Sequence, residues 1–231
     1  MMKTYFFDLD DTLLKLNWPV FEKAYYGGLA RAFSALISPE KTIDYIYQSY
    51  LYMVAVIDQR SNKEKFYAKM AELSGIEAKV LMAKENAYYE NEYDKLQSIT
   101  TKNETMVQAL RRLQEKKYPI IIASQPVFPA LATHKRLAWL GFDAAEFLKV
   151  TTFETERACK PSLAYYQNLL NEFNLQPADC VMVGNDRKED MVATRLGMAG
   201  ILIVDDILDS EDDFVCQEMT AREFLAYVSS R

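Results

Sequence analysis

Apolar residues recur along this chain at two different periods, and the change of period marks out its organisation. Thr4 to Phe7 is a β-branched and aromatic run, which predicts a short buried strand. From Lys15 onward the spacing becomes helical. Pro19 suits a first helical turn, and Phe21, Tyr25, Leu29, Phe33 and Leu36 then line one face, with Gly27-Gly28 expected to loosen the middle. Ser38-Pro39 starts a second helix running to about Ile57. Ser61 with Glu64 forms a capping box for a third, which Gly75 ends, and a fourth runs from about Glu77 to Tyr93. No strand pattern interrupts this stretch.

From about Leu96 strands and helices alternate. Helices are expected at Asn103 to Lys117, Val127 to Leu140, Ser162 to Phe173 and Asp190 to Leu196. Between them come apolar strands at Ile120 to Ala123, Val150 to Phe153, Cys180 to Val183 and Ile201 to Val204. Such alternation predicts an α/β fold, a Rossmann-like parallel sheet covered by helices on both faces. The first strand must join that sheet across the helical stretch. The expected domains are therefore an α/β core of residues 1–14 and 97–231 and an inserted helical bundle of residues 15–96.

Composition narrows the function. The chain has 231 residues, half of them hydrophobic, with a net charge of −6. That acidity argues against nucleic acid as an obligate partner, but not against small phosphate esters. Cys159, Cys180 and Cys216 are odd in number and lack metal-type spacing, so they read as free thiols in a reducing cytoplasm. No apolar run approaches membrane-spanning length, and the acids near the start spoil any signal peptide. With His134 the only histidine, a zinc site or a Ser-His-Asp triad has little to build on. Carboxylates must carry the chemistry.

Three of them, Asp8, Asp10 and Asp11, follow the first strand directly. Strand periodicity sends Asp8 and Asp10 to one side and turns Asp11 away. Two converging acids repel by roughly 1–4 kcal/mol, which a hard cation with oxygen ligands such as Mg²⁺ would offset. The plainer alternative is an N-cap cluster for a helix starting near Thr12. Later strands also end in polar residues: Ser124, then Gly184-Asn185-Asp186 with Asp190, while Lys160-Pro161-Ser162 precedes a helix. Ligands in such sheets bind beyond the carboxyl ends of the strands.

In this order of motifs the sequence resembles the haloacid dehalogenase superfamily of hydrolases, most of which are Mg²⁺-dependent phosphatases. Asp8-Leu9-Asp10-Asp11-Thr12 matches the first motif, Ser124 the second, Lys160 the third, and Gly184-Asn185-Asp186 with Asp190 the fourth. The helical insertion looks like the family's α-helical cap. The resemblance implies a small-molecule phosphate ester as substrate; neither membrane nor nucleic acid is expected as partner, and a monomer or weak homodimer is expected in solution. A sugar-phosphate mutase would share every catalytic residue. A 2-haloacid dehalogenase fits less well, because that branch lacks the acid supplied by Asp10. A non-catalytic binding module would be expected to have lost one of Asp8, Asp10, Ser124 and Lys160, and all are present.

The chemistry assigns roles in the same sense. Asp8 suits a nucleophile that forms an aspartyl-phosphate, and Asp10 a general acid and then base. Ser124 and Lys160 would hold the phosphoryl group, and Mg²⁺ would be bound by Asp8, Asp10 and the fourth motif. In that motif the family commonly places an acid where this chain has Asn185. Asp186 is then the preferred ligand, Asn185 a neutral alternative, and Asp190 a supporting ligand or a partner of Lys160. Gln125, Lys15 and Trp18 are candidate substrate contacts, with Asn17 and Phe21 nearby. His134, beside Lys135 and Arg136, reads as a solvated helix face, and Arg157, Arg187 and Lys188 as surface charge. The many tyrosines between Tyr25 and Tyr93 read mostly as bundle core, with some closing over the site.

Overall fold

The computed structural model describes residues 3–230; Met1, Met2 and Arg231, which the expected core includes, lie outside the described residues. Strand β1 (Thr4–Phe7) is followed by a short β2 (Leu14–Leu16) and then by α1 (Trp18–Phe33), α2 (Pro39–Ala55), α3 (Asn62–Ser74) and α4 (Ala78–Asn91). A 3-10 turn at Tyr93–Ile99 leads to β3 (Thr100–Lys102), then α5 (Glu104–Glu115), β4 (Ile120–Ile122), α6 (Ala130–Leu140), β5 (Lys149–Val150) and α7 (Leu163–Glu172). Strands β6 (Cys180–Gly184), β7 (Ala199–Ile203) and β8 (Gln217–Met219) and helix α8 (Ala221–Ser229) complete the order.

One six-stranded parallel sheet, ordered β5-β4-β1-β6-β7-β8, organises the molecule. β1 sits inside it, with Phe7 in register with Ile122 of β4 on one side and Val183 of β6 on the other. The expected α/β architecture is therefore the observed one. Its two faces follow from the period of two along β1. Tyr5 and Phe7 point into the larger apolar cluster, where Phe7 meets Phe224 of α8 edge-on, and Phe6 points into a second cluster with Tyr165, Tyr166 and Met182. A strand packed on both faces reads as a continuous apolar run, and all four residues of β1 are buried.

Four helices lie between β2 and β3, as their spacing requires. Ser61 and Glu64 do form the capping box of α3, and Gly75 ends that helix at a left-handed φ of +71°. Gly27-Gly28 does not loosen α1, which runs unbroken. Gly28 instead lets α1 approach α4 so closely that any Cβ there would collide with the Tyr88 ring. The helical stretch is entered and left through an antiparallel ribbon, β2 with β3, pairing Lys15 with Thr101.

Other boundaries move for local reasons. α6 starts at Ala130 rather than Val127, because Pro129 holds extended geometry at the N-cap and biases Phe128 the same way; Glu154 then caps the Ala130 N–H at 2.9 Å. Pairing of β5 ends at Val150. The segment Met191–Leu196 is a 3-10 helix, since the Thr194 hydroxyl bonds back to the Met191 carbonyl at 2.8 Å and Gly197, at φ +94°, stops the turn. Three-residue β8 and the helix α8 add an edge and a cover that the alternation alone does not announce.

Candidate active site

The carboxyl ends of β1, β4 and β6 converge on the floor of a cavity of about 400 Å³, whose opposite wall is formed by α1, α2 and α4. The ladder runs one residue past the strands, with the Asp8 N–H donating to the Val183 carbonyl at 2.9 Å and the Ala123 N–H to Phe7 at 2.7 Å. Asp8 is thus fixed by the sheet itself. One of its oxygens accepts from the Lys160 ammonium at 2.8 Å and the other from the Thr12 hydroxyl at 3.0 Å.

Lys160 also donates to Asp190 at 2.7 Å. The second oxygen of Asp190 accepts from the Asp186 N–H at 3.0 Å. Burial pulls this pair in opposite directions, the ammonium down and the Asp190 carboxyl up, while Asp190 and Asp8 hold the lysine's proton on strongly enough to win. The geometry decides for the ion pair, because both oxygens of Asp190 already accept and neither is left to carry a proton. Gly184 makes this approach practicable: any side chain there would collide with the Asp190 carboxylate. Asp190 is thereby placed as a partner of Lys160, one of the two roles expected of it.

Lys160 is itself placed by Gln125. The Gln125 amide donates to the Lys160 carbonyl at 3.0 Å and accepts from its N–H at 3.0 Å, which fixes the main chain beneath the ammonium. It donates as well to Glu189 at 3.0 Å. Gln125 lines the cavity, so this clamp and a substrate contact are compatible. Ser124 is buried, and its hydroxyl has no hydrogen-bond partner, an orphan that an incoming oxygen would satisfy.

Asp10 stands across from Asp8 with a different partner. One carboxylate oxygen accepts from Arg136 of α6, and the other is buried without a partner. Burial raises the carboxyl to about 6, Arg136 opposes the rise, and the charges of Asp8 and Asp11 add to it. Arg136 is completely buried, lies over the Phe128 ring and donates to Thr133 at 3.3 Å. Sequence reasoning, which set its neighbourhood on a solvated helix face, missed it. His134 alone of that pair is exposed. A signal was present: Arg136 falls in the stripe Thr133, Leu137 and Leu140, where α6 is otherwise apolar or neutral.

Asp11 does turn away from the other two acids. It adopts a left-handed φ of +61° and accepts from the Leu16 N–H and the Trp18 indole, tying the first loop to the start of α1. This brings Trp18 onto the cavity wall. Lys15 does not reach it; its ammonium pairs with Asp206 at 2.5 Å on the exposed rim. Asn17 is exposed and Phe21 is bundle core. Arg187, read as surface charge, pairs with Asp209 and Glu218, and Arg157 is exposed.

The two candidates of the fourth segment point in different directions. The buried Asn185 side chain projects toward the loop after β1, where its oxygen shares the Thr12 hydroxyl with Asp8 at 3.0 Å, and its amide donates to the Asp206 carbonyl. Asp186 instead folds back on its own turn, accepting from the Glu189 N–H at 2.7 Å. Of the two it is Asn185 that shares a donor with Asp8, while both side chains line the cavity. Hard oxygens from Asp8, Asn185 and Asp186 gather at this end of the cavity, and among the described residues no three acidic, histidine or thiol side chains form a cage. That donor set fits Mg²⁺, which takes one or two carboxylates and keeps waters for exchange with a substrate oxygen. Glu189, which the sequence reading did not single out, completes the wall, its carboxyl raised to about 7 by burial against the lowering effect of Lys160.

Comparison with known proteins places the chain among hydrolases. The chain is 25% identical over 220 residues to the glyceraldehyde 3-phosphate phosphatase of Methanothermobacter thermautotrophicus, covering 93% of this chain and 91% of that one. Its fold is similar to that of a HAD phosphatase from Thermococcus onnurineus (TM-score 0.60, 18% identity, 98% of each chain). It is also similar to a 2-haloacid dehalogenase from Pseudomonas syringae pv. Tomato DC3000 (TM-score 0.65, 17% identity, 100% and 99% of the two chains). No described helix is long and apolar enough to cross a membrane. Because the family model of the haloacid dehalogenase-like hydrolases matches residues 2–195, spanning every strand-end acid described above, the chain belongs to that family of hydrolases.

Proposed function

We propose that the protein is a Mg²⁺-dependent phosphatase of small-molecule phosphate monoesters, working through an aspartyl-phosphate on Asp8. The observation that carries the reading is the pairing of two differently held acids on one cavity floor. Asp8 is charge-matched to Lys160 at 2.8 Å, and Asp10 keeps a carboxyl raised to about 6 with one oxygen unpartnered. The phosphatase named among its relatives supports the same reading. In this proposal residues 15–96 act as a cap over a core of residues 1–14 and 97–231, and the site lies in the cytoplasm.

In the first step an Asp8 oxygen attacks phosphorus and the bond to the leaving oxygen breaks. Asp10 gives its proton to the departing alkoxide. In the second step water attacks the aspartyl-phosphate, Asp10 takes its proton, and the bond between phosphorus and Asp8 breaks to release inorganic phosphate. Ser124 and Lys160 hold the phosphoryl oxygens through both steps, where positioning and charge neutralisation dominate the catalysis. Asp8, the main-chain carbonyl of Asp10 and Asn185 would hold the Mg²⁺, with Asp186 beside them. When bound, the ion supplies neutralisation of phosphoryl charge. The test is release of p-nitrophenol from p-nitrophenyl phosphate. Turnover is expected with Mg²⁺ and none after EDTA treatment; turnover that EDTA leaves untouched, or turnover of 2-haloacids instead, would replace the proposal.

A further inference from the structure

The cavity walls say more about the substrate than the catalytic floor does. Every charged side chain on them is an acid, and no lysine, arginine or histidine side chain among the described residues lines them. The site's two cations belong to the floor, Lys160 beside Asp8 and Asp190 and Arg136 beside Asp10, and neither is on the cap-side walls. On the cap side two carboxylates line the cavity, Glu22 at an exposed position and Glu85 at a buried one. Glu22 lies on α1 between Trp18 and Tyr26, one helical turn from each, and Glu85 lies on α4. Glu85 is buried, accepts from the hydroxyls of Tyr67 and Tyr89, and has its carboxyl raised to about 7 chiefly by burial.

Around these carboxylates the wall is aromatic. Trp18, Tyr25, Tyr26, Tyr50 and Phe128 present ring faces or edges to the cavity, and Tyr25 shares a 2.6 Å hydrogen bond with Tyr89. A leaving group bearing a carboxylate or a second phosphate would enter here beside two acids with no cation to meet it. Desolvating an unpaired anion next to like charge costs several kcal/mol. A neutral or positively charged group meets no such penalty, and a flat ring finds faces to stack on. The volume of about 400 Å³ is in the range of ordinary small-molecule pockets.

We infer that the substrate is the phosphate monoester of an uncharged or cationic, ring-bearing alcohol, and that Glu22 and Glu85 exclude alcohols carrying a second anion. The inference rests on the phosphatase reading and sharpens it.

The test uses four primary-alkyl phosphates on the full chain with Mg²⁺, namely benzyl, 4-(aminomethyl)benzyl, 4-carboxybenzyl and ethyl phosphate, with p-nitrophenyl phosphate as reference. Initial rates of phosphate release give kcat/KM for each. Benzyl and aminomethylbenzyl phosphate should exceed carboxybenzyl phosphate by on the order of 10²-fold. Benzyl should also exceed ethyl phosphate, by roughly tenfold for one stacked ring. Glu22 is exposed on α1, so Glu22→Lys should preserve the fold and recover about tenfold of the carboxybenzyl deficit relative to benzyl phosphate. Equal turnover of the carboxylate and the neutral ester, or a deficit that Glu22→Lys and Glu85→Gln both leave unchanged, would overturn the charge assignment while p-nitrophenyl phosphate hydrolysis kept the phosphatase reading. Ethyl phosphate matching benzyl phosphate would overturn the ring. Failure to hydrolyse any ester, the reference included, would overturn both readings together.

Discussion

The floor and the roof of the cavity handle charge in opposite ways. On the floor each acid of the proposed mechanism has an assigned cation, and the cations come from distant segments: Lys160 for Asp8, Arg136 for Asp10. Their positions are set by sheet register and by main-chain clamps such as Gln125 on Lys160. On the roof Glu85 accepts from the hydroxyls of Tyr67 and Tyr89, Glu22 is exposed, and both line the cavity. The difference separates two tasks. A matched floor can hold a phosphoryl group rigidly at the cost of generality, whereas an unmatched roof selects by what it repels.

The strongest way to break the floor is to remove the proposed nucleophile. Asp8→Asn keeps the shape and the Thr12 contact but loses the charge that Lys160 answers. Turnover should fall by a factor on the order of 10⁵, as when other covalent nucleophiles are deleted. Circular dichroism and the melting temperature should show an intact fold. Retention of more than a few per cent of activity would reassign the nucleophile.

Next in size is Asp10→Asn, with an expected loss of about 10²–10⁴ that depends on the leaving group. An alkyl oxygen needs a proton to depart and p-nitrophenolate does not. The first step should therefore collapse with benzyl phosphate and survive with p-nitrophenyl phosphate, where the second step becomes limiting. Rapid quench should then show a burst of nitrophenol close to one per site. Equal first-step losses for both substrates would leave Asp10 as a holder of Arg136 rather than an acid.

Reading the floor from sequence worked where local pattern and chemistry coincide, and failed where they part. Interior parallel strands are unbroken apolar runs, so β1, β4 and β6 could be seen, and the acids at their ends with them. The ribbon of β2 and β3 and the edge strand β8 have three residues each, too few to show a period. Helix α8 carries one local signal, the Thr220-x-x-Glu223 capping box, but no strand–helix alternation leads up to it. Arg136 was missed because an arginine beside a histidine and a lysine reads as solvated, and its partner is 126 positions away in the chain. Asn185 against Asp186 turns on which way one residue points as β6 ends, a direction set by Thr12 from another segment.

That last point yields the third prediction. If Asn185 faces the cation together with Asp8, Asn185→Ala should raise the Mg²⁺ concentration for half-maximal activity by about 10–100-fold. Asp186→Ala should raise it less, because Asp186 mainly braces the Glu189 turn. A Mg²⁺ titration of both variants by activity, paired with Mg²⁺ protection against thermal unfolding, separates binding from turnover. The reverse order would return the ligand role to Asp186.

The smallest effect concerns the roof and is read in stability rather than rate. Glu85 has a folded-state pKa of about 7 against an ordinary 4.5, so folding favours its neutral form. Between those two values the unfolded chain has lost this proton and the native protein has kept it, so stability must fall as pH rises; above 7 both states are ionised and the dependence flattens. Integrated from pH 6 to pH 7, this one group contributes a loss of about 1 kcal/mol. That corresponds to roughly 2–4 °C in melting temperature for a chain of this size. Asp10 and Glu189 titrate nearby, so the informative quantity is the difference between wild type and Glu85→Gln. The variant should lose that part of the slope and melt relatively higher at pH 7 than at pH 6. A pH dependence identical to the wild type would mean that Glu85 is ionised throughout. The roof would then carry a full negative charge at every working pH, and its discrimination against anionic substrates should hold at pH 6 as firmly as at pH 8. If Glu85 does titrate as described, that discrimination should weaken toward pH 6, leaving Glu22 to supply what remains.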